Sequence, residues 1–488
     1  MQIVTFHPFW SHDSNYTFFD GETLHYLKLE RFFEKKHFMA PTRNYMRKFE
    51  LQNRVLIKLL IKGKHGIEIK KVFNAPIEHH FKHALSMDLF SDKKYDVHVV
   101  IDGVGDHKIW SIIRNDKIVA TKDIYEARGS IGELVGILGS ELNLKGLGLD
   151  LPGKVMGLQS YGKFNSEIYE SLQKYNMNTL GDAILLRPEI PEIHGVLKKF
   201  QKGYSAYRIS KIEESKKLDA LHTIHKRLGD IVLEIFKKYV SPDERVAYSG
   251  GVAQNVIWNT ELKKLYPKLT ILPHCGDEGL SFGAMEFFRR KYNLKFDINH
   301  YPFMQSDEAP EDEPTIETIQ KIARYLADGK IVAWYQGHGE IGPRALGHRS
   351  ILMDPRIKNG KDIINRVKNR ESFRPFGASI LSEYAKEYFD LDFENPYMLY
   401  LGTTQKDNLD AITHVDGTCR AQTVNKDFDK NFRLLLEYFY DMTGCPVLLN
   451  TSLNEAGKPI AGWIRNAITI FTDTSIDVLV IGNKIYGK

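Results

Sequence analysis

Apolar residues fall in two rhythms along this chain. Short dense runs predict strands: IVTF from Ile3, TFFDGETLHYLKL from Thr17, VHVVID ending at Asp102, RVAYSGG from Arg245, KIVAWY from Lys330, PVLLN from Pro446 and IDVLVIG from Ile476. Asp20 and Gly21 supply a hairpin turn in the second of these. Leu218, Leu221, Ile224, Leu228, Ile231, Ile235 and Phe236 recur at helical spacing and predict a helix over 215–240, with shorter helices from near His79, Thr315, Phe432 and Trp463. Strand, glycine turn and helix in that order are the mark of an α/β protein. The acidic, proline-bearing stretch Asp307–Pro314 interrupts the pattern and predicts a boundary between two domains, 1–305 and 315–488.

Composition narrows the class. A hydrophobic content of 42% and a charged content of 26% are those of a soluble globular protein. No apolar run reaches the roughly 18–20 residues that span a bilayer. The start MQIVTFHPFW lacks the features of a secretory leader, so a cytoplasmic protein with no membrane partner is expected. Cys275, Cys419 and Cys445 form no Cys-x-x-Cys pair, which leaves His, Asp and Glu as candidate metal ligands. The net charge of +5 conceals a patch: residues 28–71 carry +9 and the rest of the chain −4. Phe32, Phe33, Phe38, Tyr45 and Phe49 lie within that patch. Two readings stand side by side, a nucleic-acid-binding segment and a basic surface over a buried aromatic face.

The densest chemistry lies between Gly342 and Phe376, where GPRALGHRSILMDPR and VKNRESFRPF gather Arg344, His348, Arg349, Arg356, Arg366, Lys368, Arg370 and Arg374 among Gly, Pro and small residues. Guanidinium groups match the oxygens of phosphate and carboxylate, so this block predicts a site for anions such as a nucleotide triphosphate or an acyl phosphate. In EHHFKHA, His79 and His83 share one helix face at metal-ligand spacing. With Asp102 in DGVGD and Asp277 in CGDEG they predict a nitrogen and oxygen site for Fe(II), Zn or Mn. DGVGD, SGGVAQN (Ser249–Asn255) and GDEGLSFGA (Gly276–Ala284) are expected to leave strands as glycine turns that approach phosphate. His12 reads equally as a general base or as a capping or core-edge histidine, and Asn450, Thr451, Ser452 and Asn454 in LLNTSLN suit phosphate or adenine recognition, though a polar turn explains them equally well.

These motifs, together with LERFFEKKH at Leu29, KVMGLQSYG at Lys154, THVDGTCRAQTV at Thr413 and NTSLNEAGKPI at Asn450, closely resemble the ATP-dependent O-carbamoyltransferases of the NodU/CmcH type nearly end to end. The resemblance implies an amino-terminal domain of the actin-like ATPase superfamily (ASKHA) and a carboxy-terminal YrdC-like domain, both α/β. It implies that carbamoyl phosphate loses phosphate to leave carbamate, which ATP converts to carbamoyl adenylate, and that an acceptor hydroxyl then attacks the carbonyl as AMP leaves. His79, His83, Asp102 and Asp277 match the family's metal ligands, and Gly250, Gly251 and Asn255 its adenylate contacts. Arg344, Lys368, Arg374, Arg420 and Ser452 match the carbamoyl phosphate and nucleotide site, with Asn454 beside them. Arg344 and Lys368 are expected to be catalytic with His12, and Mg2+ to accompany ATP. FWSHDSNY and the segment 43–71 depart from the family pattern, so the acceptor stays open between a sugar or natural product and a hydroxymethylated pyrimidine nucleotide or DNA base. A homo-oligomer is compatible with all of this. A tRNA threonylcarbamoylation role and a non-catalytic nucleotide-binding scaffold are the alternatives.

Overall fold

Tight hairpins account for much of the strand order. The structure, a computed structural model, describes residues 1–7, 12–38, 46–69, 71–73, 75–127, 129–146, 148–173, 214–298 and 300–488. Contacts gather 1–77, 85–92 and 272–488 into one unit and 78–84 and 93–271 into a second, and the acidic stretch 307–314 lies inside the first. Both units are mixed α/β.

In the first unit β1 (Ile3–His7), β2 (Asn15–Phe19) and β3 (Leu24–Lys28) form an antiparallel sheet. The expected Asp20 turn joins the last two, its carboxylate accepting from the amides of Glu22 and Thr23 at 2.9 Å. The helix Met46–His65 lays Ile57 and Ile61 against Val4, Phe18 and Leu27 of this sheet.

The second unit is built on β4 (Val97–Gly105), β5 (Lys108–Arg114), β6 (Lys117–Asp123), β7 (Val246–Ser249) and β8 (Leu269–Thr270), in the order β6-β5-β4-β7-β8. The pairs Asp106-His107 and Asn115-Asp116 all have positive φ, the condition for the two-residue turns whose twist matches a hairpin. DGVGD is therefore not a glycine turn leaving a strand at Asp102: β4 continues to Gly105 through a register shift and turns at Asp106. GDEG does not leave a strand either, because Asp277–Gly279 is a short 3-10 turn separated from β8 by an irregular stretch. SGGVAQN does follow β7 as expected. The expected helix over 215–240 spans Glu214–Tyr239.

The rest of the first unit surrounds an eight-stranded sheet. Its strands are β9 (Val332–Tyr335), β10 (Arg349–Met353), β11 (Gly377–Leu381), β12 (Gly402–Thr403), β13 (Thr418–Val424), β14 (Val447–Ser452), β15 (Val478–Ile481) and β16 (Lys484–Gly487), ordered β12-β13-β11-β14-β10-β9-β15-β16. Because side chains alternate across a strand, the register separates two faces. Ile351, Ala378, Ile380, Ala421, Val447 and Leu449 belong to an apolar core with Phe439 and Leu326. Pairings of Ser350 with Ser452, of Gly377 with both Arg420 and Asn450, and of Ser379 with Gln422 put a polar stripe on the other face. The three-stranded sheet belongs to this same unit. Asn15 Nδ2 donates to the carbonyl of Asp277 at 3.0 Å and Trp463 Nε1 to that of Phe32 at 3.3 Å.

Candidate functional site

The arginine block divides into cations held in structural roles and cations crowded against one another. Arg349 is fully buried; it pairs with Asp307 at 3.1 Å, lies 3.6 Å from the centre of the Tyr335 ring and donates to four backbone carbonyls besides that of Gln336. Arg356 chelates Asp354, and Arg366 is exposed. These three are thereby removed from the anion site that the block suggested. His348 pairs with Asp429 at 3.2 Å and stacks on Phe303, a structural role as well.

What remains is Arg344, Lys368, Arg370 and Arg374, joined from β13 by Arg420. Burial first, then Arg374, pushes Arg344 down to about 10. Burial and neighbouring guanidiniums push Arg370 and Arg420 well below their ordinary range. A guanidinium does not surrender its proton in a protein, so burial of these like charges is a stress that a bound anion would relieve. The Nε atoms of Arg344 and Arg420 are buried and donate to nothing among the described residues.

Lys368 ends the helix Gly360–Val367. Its ammonium donates to the Ser452 carbonyl, to Ser452 Oγ at 3.3 Å, and to Asn454 at 3.0 Å (carbonyl) and 2.8 Å (Oδ1). Burial, then Arg370 and Arg374, holds it well below the usual lysine value. The structure thus brings Lys368, Ser452 and Asn454 together, and Arg344, Arg370, Arg374 and Arg420 repel one another as close like charges. Arg370 is anchored by Asn365 at 2.8 Å and by the ring of Phe376 at 4.1 Å.

In the second unit His79 and His83 lie on one face of the helix His79–Leu89. Their Nε2 atoms are 3.2 Å apart, and lie 3.1 and 3.6 Å from one oxygen of Asp102. Converging imidazole nitrogens and a carboxylate at such separations are what a cation with ligand distances near 2.1 Å requires, so the donors fit a metal. The other Asp102 oxygen accepts from the amide of Gly251 at 2.8 Å, which orients it. Space is set by glycine: a Cβ on Gly105 would lie 2.2 Å from the His79 ring. Gly250 has φ +92°, and a Cβ there would meet the Ile101 carbonyl oxygen at 2.2 Å. Asn255, expected to contact adenylate, caps the helix Val256–Leu265 through Oδ1, while its Nδ2 donates to His225 at 3.0 Å. That donor requires a neutral imidazole, in keeping with the burial that takes His225 down to about 3.

The fourth expected ligand, Asp277, belongs to the first unit. It lies 3.5 Å from His7 and 3.7 Å from His12 Nε2. Asp13, at φ +58°, receives His12 Nδ1 at 2.9 Å and Lys28 Nζ at 2.8 Å. Burial by itself would raise the Asp13 carboxyl, but Lys28 with His12 and His37 holds it well below the usual range. An ionised Asp13 accepts a hydrogen bond from Nδ1–H, which keeps the proton on Nδ1 and leaves Nε2 as the basic nitrogen of His12. Arg370 stood in the sequence only as one of the arginine block; Asp13 and Lys28 carried no separate signal beyond the position of Asp13 beside His12.

Part of the basic segment, residues 39–45 and Lys70, lies outside the described residues, as do the side chains of 46–53. Among the described aromatics Phe33 stacks on Phe38 at 4.3 Å and Phe32 meets Trp463 at 5.5 Å, and Phe33 remains exposed. Among the described residues no helix is long and apolar enough to cross a membrane.

Comparison with known proteins gives two family matches, described as Carbamoyltransferase N-terminus over residues 15–285 and Carbamoyltransferase C-terminus over 323–488. Nodulation protein NolNO of Sinorhizobium fredii is 29% identical over 90% of this chain and 67% of its own length. Nodulation protein NolO of Bradyrhizobium diazoefficiens is 30% identical over 84% of this chain and 79% of its own. The 3'-hydroxymethylcephem-O-carbamoyltransferase of Streptomyces clavuligerus is 30% identical over 61% of each.

Proposed function

Since the chain belongs to the carbamoyltransferase family, and is a transferase, we propose that it makes carbamoyl adenylate from carbamoyl phosphate and ATP and passes the carbamoyl group to an acceptor hydroxyl. The carrying observation is the cluster of Arg344, Lys368, Arg370, Arg374 and Arg420, whose mutual repulsion an anion relieves. Carbamate is a poor electrophile. Water hydrolyses carbamoyl phosphate to carbamate and phosphate, a carbamate oxygen then bonds to the α-phosphorus of ATP as pyrophosphate leaves, and concentrated positive charge offsets the charge developing on phosphate oxygens. Mg2+ accompanies the nucleotide in this reading.

His79, His83 and Asp102 would hold Fe2+, Zn2+ or Mn2+, and Asp277 is the carboxylate that the family resemblance adds. A bound cation there would polarise oxygens of the adenylate. His12, with Nε2 basic, takes the proton of the acceptor hydroxyl as its oxygen attacks the carbonyl carbon and the bond to AMP breaks. The resemblance assigns the transfer to an actin-like amino-terminal domain, 1–305, with adenylate contact by Gly250, Gly251 and Asn255, and the activation to a YrdC-like domain, 315–488. The acceptor is a sugar or natural product, or a hydroxymethylated pyrimidine nucleotide or DNA base.

Lys368→Ala is expected to lower carbamoyl adenylate formation by about a hundredfold or more, whereas His12→Ala leaves it within about twofold and blocks transfer. Radiolabelled carbamoyl phosphate with ATP follows the first step. Mass spectrometry for a gained carbamoyl group across sugars, nucleotides and hydroxymethylated DNA follows the second. Equal loss of both steps in His12→Ala would remove its assignment as the base.

A further inference from the structure

We infer that Glu340 and Gln422 are positioning residues for Arg344, gripping the backbone on its carboxy-terminal side from two directions; this rests on the activation reading above. Residues 341–348 have no regular secondary structure, so their backbone polar groups need partners from elsewhere. Glu340 is fully buried, and its Oε1 accepts from the amides of Leu346 at 2.8 Å and of His348 and Arg349 at 3.0 Å. Its partners among the described residues are backbone amides and not a side-chain cation. A buried carboxyl oxygen held by three amides is a brace for the loop, which must adopt the shape that brings them to Oε1, while Oε2 is buried and accepts from nothing among the described residues.

The opposite side of the loop rests on the polar stripe of the sheet. Gln422 Nε2 donates to the carbonyl of Leu346 at 2.8 Å, and Asn450 Nδ2 lies 3.4 Å from that of Ala345. Gln422 is itself oriented, because its Oε1 accepts from Ser379 Oγ at 2.6 Å and from Asn450 Nδ2 at 3.2 Å. All three side chains are buried. Gly347 completes the bend at φ +121°, where a Cβ would lie 2.5 Å from the Phe432 ring. Carbonyls held by the sheet and amides held by Glu340 thus fix the two residues after Arg344. The Arg344 Nε donates to nothing among the described residues, which leaves backbone placement to help set where its guanidinium points.

The test measures binding of inorganic phosphate to the full-length chain by calorimetry, for Glu340→Gln, Gln422→Met, Arg344→Ala, Arg420→Ala and their pairwise combinations. Each brace variant is expected to weaken phosphate binding at least about fivefold, and adding it to Arg344→Ala costs nothing further, whereas its effect multiplies with that of Arg420→Ala. In turnover the brace variants raise KM for carbamoyl phosphate at least about fivefold with kcat within about twofold. Wild-type phosphate affinity in both brace variants, or effects that multiply with Arg344→Ala, would overturn the inference. Loss of folding in both, seen by circular dichroism, would overturn it in favour of a purely architectural role. Coupled phosphate binding in a chain that forms no carbamoyl adenylate refutes the activation reading and leaves the brace; adenylate formation with uncoupled variants refutes the brace alone.

Discussion

Replacing Arg420 by leucine removes one like charge from a desolvated group of cations. The unliganded chain should gain about 1 kcal/mol while phosphate affinity falls at least about tenfold, since what destabilises the empty site is what attracts the ligand. Thermal unfolding with and without phosphate reads both effects. His225 gives the pH counterpart. Its folded value of about 3 lies below the ordinary histidine value, so the folded chain binds fewer protons than the unfolded one. Stability contributed by the neutral ring is therefore present above about pH 6.5 and lost as pH falls, amounting to about 2 kcal/mol by pH 5. In His225→Leu the denaturant midpoint should fall less steeply between pH 7 and 5; an unchanged slope would show that this ring is not the titrating group.

At the scale of elements, the hairpin from β4 to β5 and the helix His79–Leu89 are fitted to one another through Gly105. Gly105→Ala must displace the His79 ring, and metal content measured on purified protein should fall at least about tenfold while the far-ultraviolet circular dichroism is retained. Elements with one period throughout were legible: Glu214–Tyr239 from its helical repeat, β1 to β3 from their dense runs and Asp-Gly turn, and the His79 and His83 pair from its spacing. β10, β11 and β13 were not. Arg349, Ser350, Ser379, Arg420 and Gln422 interrupt their apolar runs, because those strands bury polar side chains against a loop and not against lipid-like core. Which arginines bind anions was equally hidden: Arg349 and Arg344 differ in their partners in space, Asp307 and Tyr335 for the first, and five residues of sequence cannot convey that. Nothing in the sequence around Glu340 marks the three amides it accepts from.

For the whole molecule the decisive fact is that residues 1–77 share a unit with 272–488. Contacts such as Asn15 to Asp277 and Phe32 to Trp463 close very long loops, the kind of topology that slows folding. A chain ending at residue 305 is expected to be recovered mainly in aggregates, because the three-stranded sheet loses its partners in the later sequence; the full chain expressed in parallel and separated by centrifugation checks this. During synthesis, at about 5–20 residues per second, the first strands leave the ribosome tens of seconds before the segment that covers them exists. Through that interval the edge of β1–β3 is bare, so the yield of active protein in a cell should depend on chaperones that shield nascent chains, and a codon change that slows the last third of the message should lower it without altering a single residue.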